Sequence, residues 1–141
     1  MREQDFSKRV SIVVRDDLEE WQVLNTVAHV SAYFGNKLGA HFDTGDCFTT
    51  ADNICLPRNT QYPIIVLSGK SDQLGNLART VRTPDLQSMF FISEMVETSN
   101  DSDIAVSVRL KQESEIDYLG VGVFGDNQIV KKLTGQFGLW K

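Results

Sequence analysis

Apolar and polar positions along the chain switch between two periods. Lys8–Arg15 (KRVSIVVR) carries a β-branched run, Val10 to Val14, interrupted only at Ser11. A strand that is apolar nearly throughout belongs in the middle of a sheet with both faces covered. Asp16-Asp17 ends it and offers a cap for the next element. From Glu19 to about Lys37, Trp21, Leu24, Ala28 and Ala32 recur at helical spacing, and Val27 and Val30 widen the stripe. Gly35 and Gly39 bracket the end of this helix. Tyr62–Leu67 (YPIIVL) predicts a second core strand, with Pro63 tolerable at its start. Ser71–Arg82 predicts a second helix, capped by Ser71 and stopped by Thr83-Pro84. Its inward stripe is Leu74, Leu77, Ala78 and Val81. Leu86–Ser93 predicts the third strand, and Ser102–Lys111 a third helix with Ile104, Ala105 and Val108 inward. Asp117–Phe124 predicts the fourth strand. Asp126 then caps a short last helix with Ile129, Val130 and Leu133 inward, Gly135 ends it, and Leu139-Trp140 packs back on the domain. Strands alternating with helices define an α/β class with a parallel or mixed sheet. No repeat, linker or low-complexity tract divides the chain, so residues 1–141 are read as one domain.

His41–Arg58 breaks the pattern. Short apolar pieces alternate with Thr-Gly-Asp and Thr-Ala-Asp-Asn, which are turn chemistries, and predict a hairpin-like excursion. Cys47 and Cys55, the only cysteines, lie symmetrically about Ala51, so such a hairpin could set them opposite each other. Met1–Ser7 has no apolar core of a signal peptide, and Ile64–Leu67 and Met89–Ile92 are too short to cross a membrane. A cytoplasmic protein is therefore expected, and with it two reduced thiols. A bridge, or a metal shared with His41 or Asp43, is the alternative. The absence of CxxC or HxxxH spacing speaks against the metal.

The composition is that of a globular domain, at 41% hydrophobic and 23% charged residues over 141 positions. The formal charge of −5 is the wrong sign for gripping a nucleic-acid backbone. Three motifs fail on context. Gly120, Gly122 and Gly125 match GxGxxG, but the first two fall inside a strand and no later βαβ half comes after them. Those glycines are read instead as places where a helix packs closely on the sheet. Ser68-Gly69-Lys70-Ser71 looks like the tail of a phosphate-binding loop, but its upstream glycine position is Ile64. Nothing resembles GxSxG. No cofactor and no metal are implied.

Two stretches carry a resemblance. One is Lys8-Arg-Val-Ser-Ile-Val-Val-Arg15-Asp-Asp17-Leu18, followed by a helix bearing Asn25-Thr26-Val27-Ala28-His29. The other is Tyr118-Leu-Gly-Val-Gly-Val-Phe-Gly125, followed by Val130-Lys131-Lys132-Leu133-Thr134-Gly135. They resemble type II peptidyl-tRNA hydrolases, and more closely the bacterial domain of unknown function 2000 family. Phe90-Phe-Ile-Ser-Glu94-Met95 is similar to that family's third strand. The resemblance implies a three-layer αβα sandwich of type II peptidyl-tRNA hydrolase kind. Its four-stranded mixed sheet has the first strand beside the second and fourth, and the hairpin around 41–58 is an insertion. The departures fall on the chemistry. The hydrolases' Gly-Lys pair is replaced by Glu19-Glu20-Trp21-Gln22-Val23-Leu24, and their Asp-Ala-Gly-Arg-Thr phrase by Glu94-Met95-Val96-Glu97-Thr98. Carboxylates where a cation would meet tRNA argue against that activity.

If the first and third strands are parallel, their C-terminal ends share the sheet edge where ligands bind in open α/β folds. The candidate catalytic residues are His29, as general base, and Asn25, which shares its helix face and could orient a substrate. Candidate ligand-binding residues are Asp16, Asp17, Glu94, Thr98, Lys132 and Thr134. Each has a structural alternative. His29 could be hydrogen-bonded between helix and sheet, and Asn25 could satisfy a loop carbonyl. Asp16 and Asp17 could be caps, and Thr134 could close the last helix. Three functions are compatible with these residues, led by a small-molecule-binding or regulatory domain. The others are a hydrolase or transferase on a small acyl or amide substrate, and a homodimeric interaction module using Trp21, Phe42, Phe48 or Trp140.

Overall fold

The computed structural model describes residues 3–42, 45 and 47–141, without the side chain of His41. In chain order the strands are β1 (Lys8–Arg15), β2 (Cys47–Thr49), β3 (Cys55–Pro57), β4 (Ile64–Gly69), β5 (Gln87–Ile92), β6 (Tyr118–Asp126) and β7 (Gly138–Leu139). The α-helices are α1 (Glu20–Leu38), α2 (Ser71–Thr80), α3 (Ser93–Glu97), α4 (Asp101–Arg109) and α5 (Asn127–Thr134).

β1 is central, as its apolar run demands. It pairs in parallel with β4 and antiparallel with β6, and the main sheet has the order β5-β6-β1-β4-β7. Val10, Ile12, Val13 and Val14 are fully buried because helices cover both faces. On one face Val23, Val30, Phe34 and Leu38 of α1 pack on Val10, Ile12, Val14, Phe91 and Phe124. On the other, Leu74, Leu77 and Ala78 of α2 and Val130 of α5 pack on Val13, Leu67, Val121 and Val123. These are three layers around a mixed sheet.

The sheet has five strands rather than the expected four. Leu139 and Gly138 pair with Leu67 and Ser68, and the Trp140 N–H donates to the Val66 carbonyl at 3.0 Å. The return of the C-terminal segment thus covers part of an edge that β4 would otherwise leave open. Helix starts also differ. Glu19, not Asp16-Asp17, stands at the α1 N-cap, with its N–H donating to Gln22 Oε1 at 3.0 Å. Lys70, not Ser71, holds that place for α2, its N–H donating to Gln73 Oε1 at 2.9 Å. In both, a glutamine one turn on supplies the acceptor. Asp126 caps α5 as expected, accepting from the Gln128 and Ile129 N–H groups at 2.9 and 3.1 Å.

β2 and β3 form the hairpin, with Thr49 opposite Cys55 and Cys47 opposite Pro57. Cys47 and Cys55 are joined in a disulfide, so the reduced-thiol expectation is corrected. The hairpin brings their Cα atoms to 5.5 Å, well within reach of a bridge. The bridge also occupies both thiols that a metal would need; of the other proposed ligands, Asp43 and the His41 side chain lie outside the described residues.

Gly120 and Gly122 sit within β6 directly beneath α1. A Cβ at Gly122 would stand 2.7 Å from Phe34 Cε2 and closer still to Val30 Cγ1; one at Gly120 would strike the Thr26 methyl. Gly122→Ala is expected to cost about 1–3 kcal/mol by overpacking, and Gly120→Ala a similar amount. Gly138→Ala, whose methyl meets nothing within 4 Å, is expected to stay within about 0.5 kcal/mol of the parent. Urea denaturation of the three variants checks this ordering.

Candidate functional site

Both β1 and β5 run antiparallel to β6, so they are parallel to each other and their C-terminal ends share one edge of the sheet. The charged residues at that edge are largely spent on one another. Asp16 pairs with Lys70 at 3.2 Å, and Arg15 bonds both Asp17, at 2.6 Å, and Asp117. The hydrogen bond from Arg15 holds the Asp17 carboxyl below the ordinary carboxylate range. Asp16 borders only a small hollow of about 200 Å³ with Ser68 and Trp140.

The larger cavity lies to the side, over β5. It is a groove of about 810 Å³ with a strand floor and two helical walls. Met89 and Phe91, two apart on β5, supply the floor. One wall is the α1 stripe Trp21, Asn25 and His29, at i, i+4 and i+8. The other is the α4 stripe Asp101, Ile104, Ala105 and Val108. Met95 and Val96 of α3, with Thr98 and Ser99 after it, close one end. α3 continues from β5 without a loop, so floor and end wall are continuous chain.

The imidazole of His29 is exposed and stacks on the Phe91 ring, with centroids 5.2 Å apart and planes 12° from parallel. Among the described residues no hydrogen bond bridges it from helix to sheet; ring stacking holds it against the floor. Asn25 is half-buried one turn before it. Thr98 lines the same groove, so the structure brings together Asn25, His29 and Thr98.

The other candidates fall elsewhere. Glu94 is buried, at 3% exposure, and forms an ion pair with Lys111, while Ser93 Oγ donates to its Oε2 at 3.3 Å. It pins α3 to the segment after α4 and does not line the groove. Lys132 and Thr134 are on α5, in the opposite helical layer. Lys132 is exposed; Thr134 is buried and donates from Oγ1 to the Val130 carbonyl at 2.7 Å, the closing role. The aromatic residues considered for a dimer do not form one patch. Trp21 is in the groove wall and 57% exposed. Phe42 packs on Tyr62 and Phe124, Trp140 packs on the core, and Phe48 lies on the hairpin under Arg58. Sequence reasoning missed α3 and the use of α4 as a wall. The signal for α4 was its own inward stripe, which has no strand assigned to receive it.

Among the described residues no group of three His, Cys, Asp or Glu side chains converges as a metal site would require. None of the helices there is long and apolar enough to cross a membrane.

Central parallel strands, an antiparallel flank and two helical layers define a three-layer α/β domain with a groove at its side. Within that class the chain belongs to the family described as protein of unknown function DUF2000, whose model matches residues 8–141. A solved structure of a protein of unknown function from Agrobacterium tumefaciens strain C58 is similar, at 21% identity and a TM-score of 0.83. The match covers 97% of this chain and 100% of that one, and it shows the fold. No curated protein matches the sequence.

The Glu94–Lys111 pair yields a pH prediction. Burial pushes the Glu94 carboxyl up, but the Lys111 hydrogen bond, with help from backbone and Ser93, outweighs it and holds the group below its usual 4.5. The unfolded chain therefore takes up this proton first. The contribution to stability is complete above pH 4.5 and is lost as pH falls through the depressed folded value. Glu94→Gln is expected to lower the Tm near neutrality and to flatten its fall on acidification. Thermal melts of both proteins from about pH 7 to about pH 3 check this.

Proposed function

We propose that this protein is a small-molecule-binding domain whose ligand lies in the groove between α1 and α4. The observation that carries the reading is the groove itself. Its volume of about 810 Å³ falls in the range of roughly 300–1,000 Å³ typical of ligand sites. Its surface is apolar with a few polar groups, Asn25, His29 and Thr98, converging on one space, the usual composition of such a site.

The sandwich is read as of type II peptidyl-tRNA hydrolase kind, on the sequence resemblance of β1, α1 and the β6–α5 tail. Its activity is not carried over, because Glu19–Leu24 lacks the lysine and Glu94 and Glu97 replace the cationic phrase. A hydrolase or transferase using His29 as base is the second reading, supported by an exposed imidazole at a groove. Against it, no carboxylate or hydroxyl among the described residues is hydrogen-bonded to that ring to orient it, whereas binding needs no such partner. The disulfide sets a condition on a cytoplasmic setting, since that compartment keeps thiols reduced.

Thermal-shift screening against a metabolite library, repeated on Asn25→Ala and His29→Ala, tests the proposal. A ligand at a hundred times its Kd should add about 2.7 kcal/mol of stability. The expected result is a hit that raises the Tm of the parent and is lost in both variants. Hits indifferent to both variants, or a library without hits, would overturn the groove reading.

A further inference from the structure

The sign of charge around the groove narrows the ligand. Residues 16–36, which include the α1 wall, hold the four acids Asp16, Asp17, Glu19 and Glu20 and neither lysine nor arginine. Residues 93–109, which supply the end and the α4 wall, hold Glu94, Glu97, Asp101 and Asp103 against one cation, Arg109 at the last residue of α4. The floor strand Gln87–Ile92 is uncharged. Lys70 and Arg15 offset Asp16 and Asp17, and Lys111 offsets Glu94, which leaves five acids unpaired by those contacts. Among the lining residues Asp101 is the one carboxylate, and His29 is the only group able to carry positive charge. A cleft walled in low-dielectric side chains focuses such a field on its contents.

The apolar surfaces specify the rest. The imidazole of His29, seated on the buried Phe91 ring, presents a flat aromatic face, and Trp21, 57% exposed, lines the same groove about two turns earlier on α1. Aromatic faces attract organic cations as well as flat apolar bodies. Building on the groove reading above, we propose that the ligand is a small organic cation with a flat apolar body, of the arylalkylamine class. Its ring lies along the aromatic side of the groove, and its ammonium group is directed to Asp101. Phosphorylated and carboxylate metabolites are disfavoured by the same field.

The test is a matched series with one ring and three head groups: tryptamine, tryptophol and indole-3-acetate. Binding is measured by calorimetry or by perturbation of assigned amide resonances. Tryptamine is expected to bind tightest and indole-3-acetate weakest, with a ratio of roughly tenfold or more at low salt that shrinks as salt is added. Asp101→Asn is expected to remove most of that ratio while leaving tryptophol unchanged, and Trp21→Ala to weaken all three. Helicity and Tm establish that each variant is folded. Equal or tighter binding of indole-3-acetate, or a ratio that survives Asp101→Asn, overturns the charge assignment and leaves the groove reading standing. Failure of all three compounds overturns the arylalkylamine assignment. A library hit dependent on Asn25 and His29 would then keep the groove, and its absence would remove the groove as well.

Discussion

The closeness of α1 to β6 is the constraint on which the rest of this molecule depends. Thr26 and Val30 lie over Gly120 and Gly122, and Phe34 reaches across the second glycine. A side chain at either place would lift the helix off the sheet. The descent of α1 also sets its rotation. A residue one position from the sheet-facing row is turned by about 100°, so Asn25 and His29, preceding Thr26 and Val30, look sideways over β5. The ring of His29 can meet Phe91 only because the helix sits this low. Two glycines in the strand that looked like a nucleotide motif therefore shape the groove without touching it.

Electrostatics and packing divide the sheet edge between them. In the middle, Arg15 and Lys70 tie down Asp16, Asp17 and Asp117. To the side, the buried Glu94 holds α3 through Lys111. That bond joins the two ends of the α3–α4 segment and fixes the far wall. α4 itself buries no side chain fully. Its position rests on partly covered apolar contacts and on the anchor next to it, and it is the wall with most freedom to adjust to an occupant.

The strands and long helices were legible because their apolar residues repeat with one clear period. KRVSIVVR could be only a central strand, and the Asp126 cap could be read from its place before an apolar stripe. The N-caps of α1 and α2 were misplaced because aspartate and serine are better capping residues in general, while the glutamines one turn on supply the acceptors here. α3 was hidden because it begins at the residue after β5, with no turn chemistry to mark it. That Asn25, His29 and Thr98 line one groove agrees with helix spacing and with the shared strand ends. Glu94, Lys132 and Thr134 were not separable from them, because whether a polar side chain faces a groove, an ion pair or its own helix depends on partners remote in sequence. The cysteines show the same limit. Spacing allows the bridge, whereas a cytoplasmic compartment favours free thiols.

The strand order has a consequence for biosynthesis. β5 is made before β6 yet pairs in the sheet only with β6, and β1 waits for the same partner on one side. While the ribosome is still translating residues 118–126, the floor of the groove has no neighbour and an uncharged edge, Gln87–Ile92, faces whatever is nearby. Nascent chains of this protein therefore hold a sticky, unpaired strand until residues 118–126 have been made, an interval in which holdase chaperones have much to protect.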